Sequence, residues 1–118
     1  MTIGEFSKKT GISVYTLRYY EDKKLIIVAR DEKGRRIYTE KEIEWVQFIK
    51  RLKDTGMKLQ EIQKYASLRY EGEKTMPQRL ELLKTHYDFV VEQQKKWEVY
   101  LQNLQQKILW YEKEMKKD

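Results

Sequence analysis

From Leu80 to Met115 one register of positions recurs in alternating steps of three and four: Leu80, Leu83, Tyr87, Val90, Gln94, Trp97, Leu101, Leu104, Ile108, Tyr111 and Met115. Only Gln94 in this register is polar, and no glycine or proline interrupts it. Upstream, Thr75 stands as a cap, Pro77 in the first turn and Gln78 at the capping-box position. The spacing predicts a single helix of about 60 Å at a rise of ~1.5 Å per residue. A stripe of that length cannot be covered by the preceding residues 1–70, which have a core of their own to fill. It requires a partner helix, and a second copy of the chain is the simplest one. Folding back into a hairpin is the alternative, but no turn signal lies between Pro77 and Asp118.

The other end of the chain carries a different pattern. Thr2-Ile3-Gly4-Glu5 reads as a capping box, and Ile3, Phe6 and Ile12 give the apolar side of a first helix over about residues 3–9. Gly11 stops that helix, and Ser13 is a natural cap for a second one, from Val14 to about Lys23. Val14, Leu17, Tyr20 and Leu25 trace its inward side, leaving Tyr15, Thr16, Arg18 and Tyr19 largely outside. Two short helices around a tight turn, with hydroxyl, phenol and guanidinium groups outward, form a helix-turn-helix pattern. Those groups bond phosphates and base edges in a major groove. A surface helix with ordinary polar residues would read the same way in isolation.

Leu25-Ile26-Ile27-Val28 closes the small core and leads into a strand. Gly34 then marks a turn inside a polar stretch, and residues 29–38 read as a hairpin, a wing. Arg35 and Arg36 follow that turn. Strand alternation sets Arg36 and Tyr38 on one side, where a cation and a phenol suit a phosphate backbone. A solvated charged loop is the plainer alternative. Thr39-Glu40-Lys41-Glu42 reads as a second capping box, opening a helix over about 40–54 whose Ile43, Trp45, Val46, Phe48, Ile49 and Leu52 are core rather than a ligand cage. Thr55-Gly56-Met57-Lys58 turns into another helix with Leu59, Ile62, Tyr65 and Ala66 inward, and its N-terminus beside Lys58 can hold a phosphate. Tyr70-Glu71-Gly72-Glu73-Lys74 is the linker-like segment, which divides a head, residues 1–70, from a linker and long helix, residues 71–118.

Charge follows the same division. Residues 1–70 hold 16 Lys and Arg against 10 Asp and Glu, while residues 71–118 hold 9 of each. The whole excess of +6 lies with the head, which favours an anionic polymer through counterion release. Absence of cysteine removes disulfides, thiolate metal sites and thiol switches together. His86 is the one histidine, so no transition-metal set is expected, and no cofactor motif or nucleophile–base pair is present. Trp97, Tyr100, Trp110 and Tyr111 could line an aromatic pocket, although packing between paired helices accounts for them first. No apolar run of ~18 residues is present and the N-terminus lacks a signal sequence, so a cytoplasmic, nucleoid-associated protein that is not an enzyme is expected.

Four stretches resemble the MerR family of bacterial transcriptional regulators: Thr2-Ile3-Gly4-Glu5-Phe6, Thr16-Leu17-Arg18-Tyr19-Tyr20-Glu21, Arg36-Ile37-Tyr38-Thr39, and Leu52-Lys53-Asp54-Thr55-Gly56-Met57. With the long terminal helix they span nearly the whole chain. The resemblance implies a mainly α fold, with a winged helix-turn-helix head, a small β-hairpin wing and a coiled-coil helix that pairs antiparallel in a homodimer. It also implies binding to double-stranded promoter DNA with an over-long spacer, which bends and untwists on effector binding so that RNA polymerase reads the promoter. Carried over to this chain, Tyr15, Thr16 and Arg18 belong to the reading helix opened by Ser13 and Val14, and Tyr19 to backbone phosphate. Arg36 and Tyr38, next to Arg35, belong to the wing, and Lys58 to a second loop on the backbone.

The chain also departs from the family. Metal-sensing members carry cysteines near the end of the long helix, and the aldehyde- and thiol-responsive branch, which residues 48–57 resemble most, usually has one where Arg51 stands here. Multidrug-sensing members add a C-terminal ligand domain. Two other function classes compete with a regulator. An architectural DNA-bending protein of excisionase type shares the winged head but usually lacks the long helix. A coiled-coil adaptor explains residues 75–118 but not the segregated charge.

Overall fold

Caps set the first two helices. Thr2 Oγ1 accepts the Glu5 amide at 3.2 Å and opens α1 (Ile3–Thr10), while the Thr2 hydroxyl donates to the Glu5 carboxylate. Gly11, at φ 74°, closes α1 in the left-handed conformation that a side chain adopts only at a cost. Ser13 Oγ accepts the Thr16 amide at 3.1 Å and opens α2 (Val14–Asp22). Lys24 stands at φ 62° just past its end, with the Leu25 amide on Tyr20 O at 2.8 Å and the Lys24 amide on Glu21 O at 3.0 Å. That pair of bonds is a Schellman closure with lysine where glycine is usual.

The computed structural model describes residues 1–117. After α2 come β1 (Ala29–Arg30) and β2 (Arg36–Ile37), paired antiparallel with Ala29 opposite Ile37 and Arg30 opposite Arg36. Then follow α3 (Lys41–Asp54), α4 (Leu59–Glu71), a 3-10 turn (Glu73–Thr75) and α5 (Met76–Met115). The mainly α fold with a two-stranded wing and a long last helix is thus present. At α3 the capping box is half formed. Glu42 accepts the Thr39 amide at 3.0 Å and the Thr39 hydroxyl, but among the described residues no helix amide donates to that hydroxyl, and the helix begins at Lys41.

The core is built where α1, α2, α3 and α4 meet. Phe6, Ile12, Leu17, Tyr20, Val46, Ile49, Ile62 and Ala66 are buried there, and Trp45 Nε1 donates to Leu25 O at 3.2 Å, which satisfies the indole in the interior. The aromatics of α3 and α4 pack on each other as core, with Trp45 and Tyr65 stacked at 5.8 Å.

Two compact units divide the chain, Met1–Leu83 and Lys84–Asp118. The first runs past residues 70–74 because Leu82 and Leu83 pack against the head's core. Leu83, expected on the pairing stripe, therefore lies partly within the head. Thr75 is buried and does not cap α5 as a box would. Its Oγ1 lies 2.6 Å from Leu68 O and 2.9 Å from Gly72 O, and it accepts Arg79 Nε at 3.1 Å. In the second unit the stripe is open to solvent in the single chain: Tyr87, Trp97, Leu101, Leu104, Ile108, Tyr111 and Met115 are all exposed. None of the helices is long and apolar enough to cross a membrane among the described residues.

Candidate nucleic-acid interface

The outward side of α2 is laid out by its own period. Leu17 and Tyr20 are buried, Val14 is half-buried, and Tyr15 and Arg18 project outward, Tyr15 with 81% of its surface exposed. Ser13 Oγ donates to Thr16 Oγ1 at 2.9 Å while accepting the Thr16 amide, so the two hydroxyls are fixed against each other. Arg18 is exposed, and among the described residues its guanidinium has no hydrogen-bond partner. Tyr19 is half-buried against the core, its ring flanked by Lys53 Nζ at 5.0 Å and Lys23 Nζ at 5.8 Å from the centroid.

The wing is held by carboxylates. Asp31 accepts the amides of Lys33 and Arg35 at 2.9 Å and Arg35 Nε at 2.9 Å, which shapes the turn around Gly34. The Arg35 amide bond, ahead of the guanidinium, lowers the Asp31 carboxyl below its ordinary value. Glu21, at the end of α2, accepts both Arg36 Nε at 3.0 Å and Arg30 Nη2 at 2.9 Å on one oxygen. The meeting of Glu21 with Arg30 and Arg36 is a tertiary contact between α2 and the wing, which no local spacing in the sequence announces.

Tyr38 corrects one expectation. Alternation does put it on the same side as Arg36, but that side faces inward. Tyr38 is 1% exposed and stacks on Phe6 with ring centroids 4.4 Å apart, and the Met1 amine donates to its carbonyl at 2.7 Å. Among the described residues its hydroxyl, which is buried, has no hydrogen-bond partner. Burial, then the Glu21 charge, raises its pKa above the ordinary phenol value. Tyr38 is a core residue beneath the wing rather than a surface group beside Arg36.

Lys58 stands where the sequence puts it, exposed at the start of α4, which has no side-chain cap on its first amides. Uncapped amides at a helix start suit an oxyanion. Reading helix, wing and α4 turn together offer cations and hydrogen-bond donors of the kind that track a phosphate backbone. His86 lies apart, half-buried in the second unit with its ring 5.9 Å from Phe89, and burial lowers its pKa.

Comparison with known proteins fits this arrangement. A model described as MerR HTH family regulatory protein matches residues 1–68, and one described as MerR, DNA binding, matches residues 43–107. An HTH-type transcriptional regulator of Haemophilus influenzae is 36% identical over 113 residues, 95% of this chain and 84% of that protein. The regulator AdhR of Bacillus subtilis is 37% identical over 84 residues, 70% of this chain and 60% of that protein. Among solved structures, HiNmlR, a MerR family regulator lacking the sensor domain and bound to promoter DNA, matches with a TM-score of 0.85 at 36% identity, covering 95% of this chain and 90% of that one. A Listeria monocytogenes structure of the same family matches with a TM-score of 0.90 at 32% identity, covering 95% and 86%. The chain belongs to the MerR family of helix-turn-helix transcriptional regulators.

Proposed function

We propose that two copies of this chain pair through α5 and set their heads on successive half-sites of a promoter duplex, each α2 in a major groove. The carrying observation is the outward face of α2, with Tyr15 and Arg18 exposed and Thr16 half-buried between them, beside a wing whose Arg36 is aimed by Glu21. In this reading Tyr15, Thr16 and Arg18 read bases, while Arg35, Arg36, Tyr19 and Lys58 hold backbone phosphate. Exposed Trp97, Leu101, Leu104 and Ile108 support pairing, since they have no cover in the single chain. The 36% identity to HiNmlR, which is bound to promoter DNA, supports the duplex as ligand. A bent, untwisted promoter shared with RNA polymerase, an effector that switches it, and a cytoplasmic location at the nucleoid complete the proposal. Footprinting on DNA upstream of the chain's own and neighbouring genes tests it. A protected, near-palindromic site is the expected result, and uniform protection without sequence preference would favour an architectural protein instead.

A further inference from the structure

Between α3, α4 and the first turns of α5 the head holds an open bowl of about 530 Å³, within the range of about 300–1,000 Å³ usual for small-molecule sites. Lys41, Glu44 and Arg51 line it from one side of α3, Arg69 from α4 and Arg79 from α5, with Trp45 and Tyr65 buried behind them. The lining thus brings four cations to one carboxylate.

These cations are treated differently from those of the wing. Arg30, Arg35 and Arg36 each have a carboxylate at 3.0 Å or less. Among the described residues none of Lys41, Arg51, Arg69 and Arg79 has a carboxylate oxygen within 4.0 Å. Arg69 instead lies over Trp45, its guanidinium carbon 4.3 Å from the ring centroid, a cation–π contact that orients it without using its N–H groups. Arg79 donates from Nε to Thr75 Oγ1 and from Nη2 to Gly72 O, both at 3.1 Å. Two pre-oriented guanidiniums and a third on the facing helix match the oxygens of a ligand carrying two or more negative charges.

Resting on the regulator reading above, we propose that this bowl is the binding site for a small polyanion, phosphorylated or polycarboxylate, that acts as the effector. An anion spanning Arg51 and Arg69 clamps α3 to α4, and the turn joining those helices carries Lys58. An anion that draws on Arg79 also competes with its bonds to Gly72 and Thr75, the joint between α4 and α5. Either contact differs between free and bound states, which is what a ligand needs to shift the head's DNA-binding equilibrium.

Calorimetry of the full chain with pyrophosphate and, separately, with citrate tests this, alongside operator binding at constant ionic strength with and without each anion. Saturable binding of either is expected, weakened about tenfold or more in Arg51→Ala and in Arg69→Gln. Operator affinity should change with the anion in the native chain and not in those variants. Pyrophosphate alone marks a phosphorylated effector, citrate alone a polycarboxylate, and both a general polyanion site; each supports the proposal. Arg51→Ala, at an exposed position, and the conservative Arg69→Lys guard against loss of folding, which thermal melts check. The proposal is overturned by no saturable binding, by undiminished binding in the variants, or by binding that leaves operator affinity unchanged. It is also overturned if the anion-free variants lose operator affinity with a flatter salt slope, which would make the bowl a DNA contact, or if they become monomers, which would make it a dimer contact. Operator binding by the anion-free native chain is measured separately, so its absence would count against the regulator reading instead.

Discussion

Glu21 on the reading helix holds Arg36 on the wing with an Oε1–Nε distance of 3.0 Å, and the same oxygen takes Arg30 at 2.9 Å. One carboxylate therefore ties α2 to the wing, the two elements proposed above to read bases and to grip phosphate. Glu21→Gln keeps the shape but removes the charge that holds both guanidiniums. Freed arginines favour any duplex, whereas the operator loses a fixed wing. The expected result is unchanged or tighter binding to scrambled DNA and a fall of about fivefold or more in the ratio of operator to scrambled affinity, within the ~1–3 kcal/mol of one specific contact. Equal losses on both duplexes would show that Glu21 does not position the wing.

Arg36 and Tyr15 should separate by salt. A phosphate contact carries no direct sequence information, and losing one lowers the slope of log K against log salt by about 1 per monomer. Arg36→Ala is expected to weaken operator and scrambled DNA alike with that flatter slope. Tyr15→Ala is expected to narrow the gap between the two duplexes at constant slope. Salt titration of both variants on both duplexes is the check. Lost sequence preference with an intact slope in Arg36→Ala would reverse the assignment.

Tyr38 offers a test of its corrected place. Its hydroxyl is buried without a partner among the described residues, so Tyr38→Phe removes an unsatisfied group and should be neutral to stabilising by up to about 1 kcal/mol. Tyr38→Ala opens a cavity against Phe6 and should cost about 3–5 kcal/mol. Burial favours the protonated phenol, so its contribution to stability is full below the ordinary value of 10.0 and is lost as pH rises through the higher folded value. Tyr38→Phe should therefore lessen the loss of stability in alkali, read from urea melts at successive pH values. A flatter salt slope in Tyr38→Phe would instead return the hydroxyl to the DNA.

Leu101 and Leu104 lie mid-stripe and exposed in the single chain. Replacing both with glutamate puts like charges at the pairing seam and should give monomers whose operator affinity is far weaker. Sedimentation velocity checks the mass. A native chain that is monomeric at about micromolar concentration would remove the basis for paired heads.

What the sequence shows and what it hides divide along the range of the interactions. Thr2, Gly11 and Ser13 act within a turn of chain, and their roles in starting and stopping α1 and α2 are legible from spacing alone. The stripe from Leu80 to Met115 is likewise periodic and predicts an unbroken helix. Tyr38 was harder, because alternation in a strand of two residues pairs it with Arg36 without saying which side is the interior. Thr75 resembles a cap by composition, yet its hydroxyl is spent on Leu68 and Gly72, partners that only the fold of α4 onto the next turn brings near. Glu21 and the bowl cations depend on meetings between distant segments. No local pattern announces them.

The pair of hydroxyls at the start of α2 has a consequence for what α2 can tell apart. Ser13 Oγ accepts the Thr16 amide and lies 2.9 Å from Thr16 Oγ1, so one hydrogen bond between the two hydroxyls holds the Thr16 rotor. A hydroxyl carries one proton and two lone pairs, so Thr16 keeps positions for a base edge only in the directions that its bond to Ser13 leaves open. The cap that begins the helix thereby acts as a latch on a group proposed to read bases. Ser13→Ala would lift that latch and let the Thr16 hydroxyl turn toward more than one base.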